Sequence, residues 1–251
     1  MVDFRYKSSN SANNDCYGMH AFAIILLGME QKASVGMTRN REISKHLMIL
    51  GILAPLFITA MVVIASEVNP DYSHQYHAVS RLGTSSVPNP YIFNISMIIY
   101  GFMMCIYAYS IYGQLGRDRK SKIMSLFAAL HGVGIMFAGI FNDEPLKAGE
   151  PYTVEIVMHT TFAIISYVAL LAMMITFNLI LRYTPFRRRL LWLTVIAFVV
   201  SLPLLGLFVF KAAGPIGLYQ RIGYGIALLW VLIVTLRLIL FMRKLSKLMM
   251  P

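Results

Sequence analysis

Ser80, Asp143 and His159 are the three residue types that nucleophilic hydrolysis uses. The hydroxyl attacks, the imidazole takes its proton and the carboxylate orients the imidazole. They lie in separate motifs, "HAVSRLG", "GIFNDEP" and "EIVMHTTF", so folding would have to assemble them. Asp143 and His159, joined by His74 and His77 of "HQYH", also form the mixed set that a hydrolytic divalent metal would take. Arg81, Asn94, Asn142, Glu144, Gln220 and Arg221 stand in the same motifs and are candidates for binding. The preferred reading of these residues is architectural. Asp143 pairs across the helix ends with Arg81 or Arg221, and His159 sits one turn after Glu155 on one helix face. Ser80, Asn89 and Asn94 then serve as turn and cap residues around Pro88 and Pro90. Hydrolysis of lipid headgroups and solute or ion transport are the alternatives.

The elements that must position these groups are written in the composition. The chain has 251 residues, 58% of them hydrophobic and only 13% charged, with a mean hydropathy of +0.66. That is more apolar surface than one soluble core of this length buries, and it marks a membrane protein. Crossing about 30 Å of hydrocarbon takes roughly 20 apolar residues, and six runs qualify: 47–66, 91–113, 123–141, 155–181, 190–210 and 220–242. In a bilayer each must be a helix, because no lipid group can satisfy the backbone. The expected fold is an all-α polytopic bundle of six transmembrane helices spanning residues 37–251.

Fourteen Lys and Arg flank one set of helix ends: Arg39, Arg41, Lys45, Arg117, Arg119, Lys120, Lys122, Arg182, Arg187, Arg188, Arg189, Arg243, Lys244 and Lys247. Four, Arg81, Lys147, Lys211 and Arg221, flank the other. The positive-inside rule then places both termini in the cytoplasm and the polar motifs on the outer face of an inner membrane. A net charge of +11 distributed in this way is a topology signal and not a nucleic-acid surface. Cys16 and Cys105 fall on different sides of a boundary and offer no disulfide. Residues 1–36 read as a disordered or surface-lying tail, or as sequence ahead of a natural start at Met37.

Within the runs, Ala128 and Gly132 are four apart and permit close helix contact. Pro55 and Pro203 should kink their helices. His131 lies near mid-membrane, where an ionisable group is a functional lead by default, as a proton relay or as a hydrogen-bond partner of Asn178, Thr or Tyr. No inverted repeat is visible, which weakens the transporter alternative. Gly-rich phosphate loops, CxxC pairs, HExxH and Gly-x-Ser-x-Gly are absent, so no cofactor is expected beyond a possible divalent metal. The expected partners are membrane lipids.

"VSRLGTSSVPNPYIFN", then "GIFNDEP", then His159, then "GLYQRIG", together resemble the domain-of-unknown-function 998 family of bacterial and archaeal membrane proteins. The resemblance spans about Leu47 to Leu245. It implies a six-helix integral membrane protein with polar residues at its outer ends, and brings no established activity.

Overall fold

The computed structural model describes residues 42–115, 119–144, 152–180, 187–209 and 214–249, so residues 1–36 lie outside it. The apolar runs are helices: α1 Leu50–Glu67, α2 Pro90–Gln114, α3 Arg119–Ile140, α4 Val154–Ile180, α5 Arg187–Val209 and α6 Ile216–Met249. A 3-10 turn, Val79–Gly83, lies between α1 and α2, and no strand occurs among the described residues. Five segments are long and apolar enough to cross a membrane among the described residues, where the sequence led to six: Glu42–Glu67, α2, α3, α4 and Ile216–Arg243. The protein is therefore a multi-pass helical membrane protein.

Many of the large apolar side chains point outward, as those of a protein solvated by lipid do. Leu56, Phe102, Leu126, Val168, Val199 and Leu229 are all exposed. Inside, Tyr107, Phe177, Trp230, Met104 and Leu170 form a core with almost no exposure. With lipid outside, apolar burial drives helix association weakly, and close backbone approach and interhelical hydrogen bonds take over. Both are present. A Cβ on Gly101 would lie 2.4 Å from the Gly132 carbonyl oxygen, and a Cβ on Gly132 would lie 2.6 Å from that of Gly101, so α2 and α3 touch backbone to backbone. Gly139 repeats the contact against the Asn94 carbonyl, and Gly134 sets α3 against Phe162 and Ser166 of α4. Helix α6 packs on α1 and α5, and Phe177 of α4 meets Trp230 of α6 edge to face at 5.4 Å.

The ends α1-C, α2-N, α3-C, α4-N and α6-N share one end of the bundle, closed by the loop 68–89. Below that loop lies the cavity described next.

Candidate functional site

Arg221, one turn into α6, organises the loop. Its Nη1 donates to the carbonyls of His74 (2.6 Å), His77 (3.1 Å) and Gly217 (2.8 Å). Its Nη2 donates to the Tyr72 hydroxyl, which donates onward to the Ala78 carbonyl at 3.1 Å. The guanidinium also stands 5.3 Å from the Tyr72 ring centroid, within cation–π range. Burial pushes the Tyr72 phenol up from its ordinary range, and the Arg221 charge opposes that shift. Gln220 adds a second clamp, its Oε1 accepting the Val79 N–H at 2.6 Å, and Leu218 N–H donates to the Gln75 carbonyl at 3.1 Å. The helix can approach this closely because residue 217 is glycine: a Cβ there would lie 2.3 Å from the His77 carbonyl oxygen. Gly217→Val should therefore lift the loop and expose 72–83 to protease in the folded protein, and cleavage at the wild-type rate would contradict the clamp.

The other side of the loop is tied to α2 and to the end of α3. Asn94 donates to the Gly83 carbonyl (3.0 Å) and to Asn142 Oδ1 (2.9 Å). Glu144 accepts from the Ser85 amide (3.0 Å) and hydroxyl (2.7 Å). Asn94 and Glu144 thus hold backbone in place, Asn142 steadies Asn94, and none of the three lines the cavity.

The cavity has a volume of about 330 Å³ and lies between α1, α2, α3, α4 and α6. Ile58, Val62, Phe93, Met97, Ile135 and Leu228 give it apolar walls, and Ser80, His131, His159, Gln220, Arg221 and Tyr224 bring polar groups to it. Apolar walls with a few convergent polar groups are the usual make-up of a small-molecule site. Among the described residues its lining contains no Asp or Glu.

His159 is buried against α3, whereas Glu155 is exposed and makes no contact with it among the described residues. Its Nδ1 lies 2.8 Å from the Ala138 carbonyl oxygen and 3.0 Å from that of Phe141. A helix leaves its last carbonyls without intrahelical donors, and His159 Nδ1–H supplies one to α3. That bond fixes Nδ1 as a donor, and Nε2 has no partner among the described residues. His131 is fully enclosed. Its Nε2 is 2.8 Å from the Tyr100 hydroxyl, and its Nδ1 is 2.7 Å from Ser166 Oγ and 3.1 Å from the Ser166 carbonyl oxygen. Ser166 Oγ in turn donates to the His131 carbonyl at 3.0 Å. One assignment satisfies every group: Nδ1–H donates to Ser166 and Tyr100 O–H donates to Nε2.

Of the proposed hydrolytic trio, the fold brings Ser80 and His159 to one cavity and leaves Asp143 outside it. Asp143 is half-buried, and its carboxylate has no partner among the described residues, neither His159 nor Arg81 nor Arg221. The place of a triad carboxylate at His159 Nδ1 is taken by two backbone carbonyls. Arg81 is exposed and lies beside the cavity, not in it, because successive residues of a 3-10 turn point about 120° apart. The weak metal set His74, His77, Asp143 and His159 does not gather: among the described residues no three His, Cys, Asp or Glu come together. Asn178 stays on its own helix, donating to the Met174 carbonyl, while His131 takes Tyr100 and Ser166 instead. Tyr72, Tyr100, Ser166 and Gly217 are the residues of this region that sequence reasoning missed, and Tyr224, expected near the outer boundary as an interface anchor or in a lipid-facing groove, lines the cavity.

His77 is a pH-sensitive point of the loop. Its Nδ1 accepts the Ser73 N–H at 3.0 Å, and burial first, then the Arg81 and Arg221 charges, lower its pKa from 6.5. The unfolded loop therefore binds a proton first, and acid favours it. The loop's stability should be flat above about pH 6.5 and decline below it. Hydrogen exchange at the Ser73 amide checks this: protection that does not fall between pH 7 and 5 would contradict it.

A family model described as "Protein of unknown function (DUF998)" matches residues 52–237, from α1 into α6. The chain belongs to the DUF998 family. No curated protein and no solved structure matches this DUF998 protein. The match includes the whole cavity, with His74, Ser80, His131, His159, Gln220 and Arg221 all inside its bounds.

Proposed function

We propose that this DUF998 protein spans an inner membrane six times, with both termini in the cytoplasm, and receives an amphiphilic lipid in the cavity beneath the 68–89 loop. The sixth crossing is α5, whose 23 residues suffice for a tilted span. The orientation follows from the fourteen basic residues at one set of helix ends against four at the other. It puts the cavity in the outer half of the membrane, and protease access to 68–89, or thiol-reagent labelling of a cysteine introduced there, from the outer side of intact cells tests it. The observation that carries the binding reading is the cavity itself: apolar walls suited to an acyl chain, ending at polar groups beneath the loop.

Gly225 provides the test. It lines the cavity at an exposed point of α6, and a Cβ built on it meets nothing within 4 Å, so the helix accepts a side chain at the cavity's edge. Gly225→Phe should leave unfolding unchanged or slightly improved, since glycine is a poor helix former, and remove bound lipid. Mass spectrometry of lipid co-purified with wild type and variant reads the result. Equal lipid on both proteins sinks the binding reading.

A hydrolytic reading is favoured by one observation, the open Nε2 of His159 in the same cavity as the Ser80 hydroxyl. Turnover of bound lipid that is lost in Ser80→Ala would support it.

A further inference from the structure

We propose that the cavity takes an anionic headgroup, a phosphate or carboxylate carried on an apolar chain, with Arg221 as its counter-charge and the Ser80, Gln220 and Tyr224 side chains as hydrogen-bond donors. This deepens the lipid-binding reading and rests on it.

The first observation is an uncompensated charge. Arg221 is half-buried, and among the described residues no carboxylate pairs with it. Its Nη groups meet carbonyls and a phenol, which are dipoles and do not neutralise a cation. Its Nε is buried and has no acceptor among the described residues. To the extent that the fold withdraws this charge from water, an opposite charge beside it offsets the cost. Asp143 is on the same end of the bundle and stays apart from it.

The second observation is an excess of donors. Gln220 uses its Oε1 on the loop, which leaves its NH2 group without a partner among the described residues. The hydroxyls of Ser80 and Tyr224 have no partner among the described residues either, and none of these atoms is sealed from the cavity. Structures leave few polar groups unpaired without reason. These donors line the same cavity as the guanidinium, whose lining holds no carboxylate among the described residues, and together they suit the several acceptor oxygens of one phosphate or carboxylate. His159 Nε2, which has no partner among the described residues, is placed to accept the remaining proton of a singly ionised headgroup.

The test uses the full chain, stripped of lipid in a neutral detergent, and three probes: dioleoyl phosphatidic acid, dioleoyl glycerol and inorganic phosphate. Phosphatidic acid should bind about tenfold or more tighter than dioleoyl glycerol, with inorganic phosphate unable to displace it. Ser80→Ala and Tyr224→Phe, which touch no loop contact, should each weaken phosphatidic acid several-fold and leave dioleoyl glycerol unchanged. Arg221→Gln should erase the preference, and if it fails to fold the other two variants decide. Equal affinity for the two lipids, or no effect of Ser80→Ala and Tyr224→Phe, overturns the anionic assignment while the lipid reading stands. If neither lipid nor phosphate binds, both readings fall. If phosphate alone binds as tightly as phosphatidic acid, the anion site stands and its source is a soluble anion, which removes the lipid.

Discussion

Gly132→Leu should abolish folding, and Gly132→Ala should cost about 1–3 kcal/mol, the usual range for overpacking a tight contact. The sign is informative, because glycine to alanine inside an unobstructed helix is favourable by roughly 1 kcal/mol. At Gly132 the added methyl meets the Gly101 carbonyl oxygen at 2.6 Å, Cys105 Sγ at 2.8 Å and the Cys105 amide nitrogen at 3.0 Å. Two of those three are backbone and cannot rotate away. The helices must separate, and the separation reaches the reciprocal contact of Gly101 with the Met136 amide. It also strains the Tyr100 to His131 hydrogen bond, since each partner adjoins one of the glycines. Gly206 of α5 is the control: a Cβ there meets nothing within 4 Å, and Gly206→Ala should be neutral or stabilising. Detergent-solubilised protein followed by unfolding titration reads all three variants. A Gly132→Ala protein as stable as Gly206→Ala would show that α2 and α3 are not in backbone contact.

The small-residue spacing of Ala128 and Gly132 was legible in the sequence because packing in lipid depends on size, and size is a property of each residue alone. The helices were legible for a similar reason: each apolar run announces its own burial in hydrocarbon, without reference to any partner. Side-chain pairing has no such local signature. Arg221 was expected to find Asp143 by charge, yet its partners are the carbonyls of His74 and His77, nearly 150 positions away in the chain. A loop bent under a helix start exposes carbonyls that no motif spells out. His159 was matched to Glu155 by helical spacing, but Glu155 faces solvent or lipid while α3 ends beside His159 with carbonyls to satisfy. An unmet backbone acceptor in a buried place outweighed an exposed pair. Of the candidate residues, Ser80, His159, Gln220, Arg221 and His131 do meet at one cavity, and Asn94, Asn142 and Glu144 secure the loop above it. What sequence alone could not give was the division between those two tasks.

His131→Leu is expected to lose about 3 kcal/mol, near the upper end for stranding a buried hydroxyl. Leucine fills much of the ring's space, so the loss is of hydrogen bonds more than of volume. Ser166 Oγ keeps its bond to the backbone carbonyl of residue 131, whereas Tyr100, with almost no exposure, is left with no acceptor. Tyr100→Phe alone should cost less, about 1 kcal/mol, close to measured interhelical hydrogen bonds in membranes. The double variant should be more stable than the sum of the two losses by about 1 kcal/mol, because it removes both halves of one bond. Additive losses would mean the two side chains do not interact. The same pair separates a structural His131 from a proton-relaying one. With Nδ1 on Ser166 and Nε2 on Tyr100, both ring nitrogens are occupied, and a relay through His131 must first break the Tyr100 bond. Tyr100→Phe opens Nε2 toward the cavity. If His131 carries protons, that variant should show pH-dependent ligand binding shifted from wild type; if His131 is a joint between α2, α3 and α4, only stability changes.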